Sequence, residues 1–116
     1  MPGLDAPILD LGYLAAQAFG DRALERDLLD LFEEQCRRLL PAIEGHSPLM
    51  TRGDAAHTLK GAALAVGAGR VAALAATIEG AVEHGTIESR LSGLARELEV
   101  AIEEVIAAIA CRREAA

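Results

Sequence analysis

A histidine, a lysine and a glycine at positions 57, 60 and 61 fall on one face of a helix and suit the handling of a transferable anionic group. A helix turns about 100° per residue, so Ala55, Leu59, Ala62 and Val66 cluster opposite His57 and define a buried stripe, which turns the imidazole outward. A neutral imidazole, with an ordinary pKa near 6.5, keeps one ring lone pair free for nucleophilic attack. Lys60, one turn onward, can offset arriving negative charge, and Gly61 removes bulk beside the ring so that another active site can come close. Leu64, two turns on, and Met50, on the same side, form a candidate docking patch. Each residue also has a plainer account: an exposed lysine solvates a surface, a mid-helix glycine is a defect costing ~1 kcal/mol, and single surface leucines are common. Their shared spacing around one ring favours the chemical account. His46, in a Gly/Ser/Pro context, and His84, at a helix end, have no such ring of neighbours.

Presenting that face requires a rigid helical frame, and the apolar periodicity supplies one. Residues 1–9 carry Pro2, Gly3 and Pro7 and read as an irregular lead-in. Leu11, Leu14, Ala15 and Phe19 give a short helix over 10–19 that stops at Gly20. Asp21 is placed to cap a second helix with the stripe Leu24, Leu28, Leu31, Phe32, Cys36, Leu39 and Ile43, in which Pro41 predicts a kink or early end before Gly45. Ser47 and Pro48 make a start signal for the third helix, with Gly67 and Gly69 as its stop. The fourth spans about 70–84, with Val71, Leu74, Ile78 and Val82 inward and Gly85 closing it. Thr86 is placed to cap a fifth, whose seam is Leu91, Leu94, Leu98, Ile102, Val105 and Ile109. The expected fold is all-α: an up-and-down antiparallel four-helix bundle over 21–112 with a short extra N-terminal helix, His57 on the bundle's second helix, and one domain over 1–116.

Composition narrows the chemistry further. Of the 116 residues 52% are hydrophobic, yet Tyr13, Phe19 and Phe32 are the only aromatics, so small aliphatic side chains must fill the core. A net charge of -7 argues against nucleic acid, whose binders concentrate Lys and Arg. No run approaches the ~18 apolar residues of a membrane span, and the opening residues, with Asp5 and no basic cluster, do not read as a secretory signal, so a cytoplasmic protein is expected. Cys36 and Cys111 lie far apart and are expected to be buried structural thiols. Neither a Gly-x-x-x-x-Gly-Lys loop nor a glycine-rich ATP lid occurs, which speaks against kinase activity.

The string Ala56-His57-Thr58-Leu59-Lys60-Gly61, with Gly67 ten residues after the histidine, resembles the histidine-containing phosphotransfer (HPt) family. The likeness continues through Ala68, Arg70, Val71, Leu74, Ile78 and Glu79. It departs at Ala62 and Ala65, where the family commonly carries polar side chains, and at Val71, where Leu is usual. The resemblance implies a stand-alone carrier of two-component phosphorelays, not an enzyme, with His57 as phosphoacceptor and Lys60 supporting phosphate charge. Glu79 would orient the ring from the adjacent helix. Gly61, Leu64, Met50, Arg70 and Gly67 would meet the partner, while Arg52 points toward the core side. Implied partners are response-regulator receiver domains and a hybrid histidine kinase. Magnesium belongs to the receiver, the carrier needs no cofactor or metal of its own, and a monomer is expected. Two other readings compete: a helical interaction module that no longer transfers phosphate, and a metal- or haem-binding bundle. Against the second, no Glu-x-x-His or His-x-x-x-His pair occurs.

Overall fold

Local backbone chemistry starts and stops five helices in the computed structural model, which describes residues 5–115. They are α1 (Leu11–Gln17), α2 (Arg22–Glu44), α3 (Leu49–Val66), α4 (Gly69–Glu83) and α5 (Glu88–Glu114), and no strand occurs among the described residues. Asp10 caps α1 by accepting from the Tyr13 N–H, and Asp21 caps α2 by accepting from the Ala23 and Leu24 N–H groups. The expected caps Ser47 and Thr86 do not act. Pro48 and Ile87 occupy the cap positions of α3 and α5, neither with a side-chain bond, and the Thr86 N–H is spent on the Ala81 carbonyl. α1 also ends earlier than the sequence suggests. Phe19 and Gly20 both adopt positive φ, 54° and 75°, which turns the Phe19 side chain into solvent and leaves Leu14 and Ala18 as the buried positions. Gly69 opens α4 where it was expected to help stop α3, and α4 closes at Glu83.

α2 packs on α3, α3 on α4, α4 on α5, and α5 returns to α2, with the broadest contact between α3 and α4. The core of this ring is aliphatic and small: Leu59, Ala56 and Ala63 of α3 meet Val71, Ala75 and Ile78 of α4 and the Leu98, Ala101 and Val105 seam of α5 in one cluster. The α3 stripe is centred on Ala63, with Ala62 half-buried beside it. On α2 the stripe is Glu25, Leu29, Phe32, Cys36, Leu39 and Ile43, and Leu24 and Leu31 are exposed. A charge thus replaces a leucine at the start of that stripe. Glu25, only 1% exposed, is held by two bonds from Arg112 (2.8 and 3.0 Å), which satisfy both carboxylate oxygens across the α2–α5 seam. Pro41 does not end α2, which continues to Glu44; the bond it forfeits, from position 41 to the Arg37 carbonyl, falls near the helix end, where few bonds follow it.

Two further devices fix the frame. Arg52, 3% exposed, donates from Nε to the Ile43 carbonyl at 3.0 Å and from Nη1 to both oxygens of Glu88. It ties the end of α2 and the start of α5 to α3. At the other end, the segment before α1 is irregular yet anchored: the Arg70 N–H donates to the Pro7 carbonyl and the Asp10 N–H to the Gly67 carbonyl. Of the lead-in expected over 1–9, residues 1–4 lie outside the described residues. Cys36 is buried as expected, and burial pushes its thiol up to about 12, whereas Cys111 is exposed near the end of α5.

Candidate functional site

Three side chains from two helices meet at the middle of the α3–α4 face. His57 projects from α3 with its side chain 66% exposed, and its Nδ1 lies 2.6 Å from Glu79 Oε2 of α4. Lys60, one turn along α3, donates from Nζ to Glu79 Oε1 at 2.7 Å. One carboxylate therefore bridges the imidazole and the ammonium. Lys60, then burial in the opposite sense, and then His57 act on Glu79, with the net effect of holding its carboxyl below the usual carboxylate value. An ionised carboxylate can only accept, so in the neutral ring the hydrogen sits on Nδ1, which donates to Glu79, and the lone pair sits on Nε2. The ring is oriented by one nitrogen and left open at the other.

The helix around the ring is cleared for approach. A Cβ added at Gly61 would meet nothing within 4 Å, so the surface beside His57 is open. Leu64 and Met50 are 56% and 77% exposed on either side of His57 along α3. Between α3 and α4 runs a groove of about 370 Å³ whose walls include Leu49, Met50, Gly53, His57, Glu79 and Val82.

Other candidates are placed differently. Arg70 gives Nη1 to both oxygens of Glu104 at 3.2 Å, so its charge is engaged with α5 at the helix start. Gly67 is the left-handed cap of α3 (φ 81°), and a Cβ there would press on Tyr13 Cδ2 at 3.1 Å and on the Asp10 carbonyl at 3.2 Å, which makes it a turn residue packed under α1. His84 puts Nδ1 2.6 Å from the Gly80 carbonyl at the end of α4. Gly53, which the sequence reading passed over, sits four residues before His57 on the same face, and the only signal for it was a glycine inside a helical pattern. Among the described residues, no group of three or more His, Cys, Asp or Glu side chains could hold a metal ion, and no helix is long and apolar enough to cross a membrane.

Comparison with known families matches residues 27–110 to the Hpt domain. The chain belongs to the Hpt domain family. Hpt domains are phosphocarrier modules of two-component signalling that work with response regulators, and the matched span runs from the first third of α2 almost to the end of α5, enclosing His57, Lys60 and Glu79. A comparison with curated proteins finds no match. Glu25, its partner Arg112 and the α1 segment fall outside the matched residues, and Leu14 of α1 packs into the core that the matched helices form.

Proposed function

We propose that this Hpt domain relays a phosphoryl group between aspartates of receiver domains through a phosphohistidine at His57. The observation that carries the reading is the contact between His57 Nδ1 and Glu79 on an otherwise exposed imidazole. With the Nδ1 hydrogen engaged, the Nε2 lone pair attacks the phosphorus of a receiver's phosphoaspartate. The N–P bond forms, the P–O bond to the aspartate breaks, and the carboxylate leaves with the electron pair. The ring gains positive charge as it is phosphorylated, and Glu79 already faces it. Lys60, one turn from His57 on the same helix, can offset the charge of the incoming phosphoryl oxygens. Return transfer to a second receiver reverses these bond changes.

Gly61, Leu64 and Met50 support receiver docking in this reading, since they keep the approach open and offer apolar contact around the acceptor. Arg70 and Gly67 support the frame beneath them. Partners are receiver domains, including one attached to a hybrid histidine kinase, and the magnesium is held by the receiver. The domain acts as a carrier without kinase activity, as one unit over 1–116, monomeric and in the cytoplasm. Short connections, the closed ring of helix contacts and the pairing of Gly53 with Val82 and His57 with Glu79 support an up-and-down antiparallel course for α2 to α5.

The test is transfer of labelled phosphate from phosphorylated receivers in the presence of magnesium. Wild type is expected to take up acid-labile label at stoichiometry approaching one, and His57→Gln to fold identically and take up none. Undiminished labelling of that variant would overturn the assignment. A wild type that binds receivers yet takes up no label from any of them would favour the interaction-module reading.

A further inference from the structure

Gly53 and Val82 form one rung of the α3–α4 packing, and His57 and Glu79 form the next. Gly53 precedes His57 by four residues on α3, and Val82 follows Glu79 by three on α4, so each pair shares its helix face with the other. A Cβ built on Gly53 would stand 3.1 Å from Val82 Cγ1 and 3.6 Å from Val82 Cβ. The first distance is too close for ordinary carbon contact and the second is normal. Val82 cannot readily swing the methyl away, because a β-branched side chain in a helix is confined almost to one χ1 rotamer. A methyl at 53 therefore pushes the backbones apart at this rung.

We infer that Gly53 is a positioning residue for phosphotransfer: by having no side chain it lets α4 approach α3 closely enough for Glu79 to reach both His57 and Lys60. The inference rests on the relay reading of His57. The upper rung is drawn in tightly: its contacts of 2.6 and 2.7 Å lie at the short end of the charge-assisted range, so any separation of the two helices lengthens and weakens them. Gly53 also lines the groove beside His57. A purely local role gives the opposite expectation for substitution, because alanine is the better helix former.

The experiment compares wild type with Gly53→Ala, Val82→Ala and the double variant, using imidazole ¹⁵N spectra of the unphosphorylated protein, thermal melts, and initial rates of His57 labelling from a phosphorylated receiver. Gly53→Ala is expected to stay folded, to shift the ring nitrogens toward a mixture of the two neutral forms, and to label roughly five- to tenfold more slowly, in keeping with the steep dependence of transfer on sub-ångström placement. The double variant, in which the 3.1 Å contact is gone and the 3.6 Å one remains, is expected to regain the spectrum and rate of Val82→Ala alone. An unchanged imidazole spectrum in Gly53→Ala, or failure of Val82→Ala to restore it, overturns the inference. The spectra decide this whether or not label moves, whereas a wild-type protein that accepts no label from any receiver counts against the relay reading.

Discussion

Glu79 accepts from His57 Nδ1 at 2.6 Å and from Lys60 Nζ at 2.7 Å, so a single carboxylate on α4 sets the posture of both side chains on α3. Replacing Glu79 by Gln keeps the shape and removes the charge. The Nδ1-protonated ring should lose its preference, and Lys60 should be freed. Labelling of His57 is expected to slow about tenfold, while stability changes by less than about 1 kcal/mol because the ion pairs are partly exposed. Ring ¹⁵N shifts and transfer rates together check this, and a rate within twofold of wild type would count against it.

Gly61 and Gly67 should respond in opposite ways to the same substitution. Gly61→Ala places a methyl in open space within a helix and is expected to raise stability by up to ~1 kcal/mol while slowing transfer severalfold through obstruction of the partner. Gly67→Ala forces a left-handed residue against Tyr13 and Asp10, and is expected to cost about 1–3 kcal/mol with a much smaller effect on transfer per folded molecule. Denaturant melts and receiver-transfer rates on the same samples separate the two.

Acid should weaken the α2–α5 seam through Glu25. Its carboxyl is held below the ordinary value of 4.5, chiefly by hydrogen bonds from Arg112 and against the opposing effect of burial. A lowered folded value means that the stabilisation is present above about 4.5 and is lost as pH falls through the folded value. Glu25→Gln is expected to be less stable than wild type by about 1–3 kcal/mol at neutral pH, with the deficit shrinking below pH 4.5. Parallel curves for the two proteins across that range would contradict the assignment.

The two cysteines should differ sharply toward a thiol reagent. Cys111 is exposed and is expected to react at once in the native protein. Cys36 is buried with its thiol pushed up to about 12, and is expected to react only as fast as the bundle opens. Counting modified thiols by mass over time checks this, and simultaneous labelling of both would show that α2 is not packed as described.

The periodic features were readable from residue order alone. His57 faces out because Leu59 and Val66 face in, and the likeness that links Glu79 to the ring spans two helices whose register is set by apolar repeats. What escaped depended on partners distant in sequence. Glu25 looks like a surface residue until Arg112, 87 residues later, is beside it, and the resulting stripe is one position off the leucines that would otherwise define it. Ser47 and Thr86 have the chemistry of caps, yet the chain turns so that Pro48 and Ile87 take those positions. Gly53 stands out only as a glycine inside a helical pattern, and its meaning lies in the valine of another helix.

Pro7 and Asp10 bond to the chain on either side of the α3–α4 turn, at Arg70 and Gly67, and Arg52 secures the opposite end of α3. The landscape a receiver meets is thus braced at both margins and has little freedom to remould itself around different visitors. Discrimination among receivers must then be written in the composition of a few outward side chains, so that retargeting this carrier is a matter of repainting α3 and its border, with the scaffold left as it is.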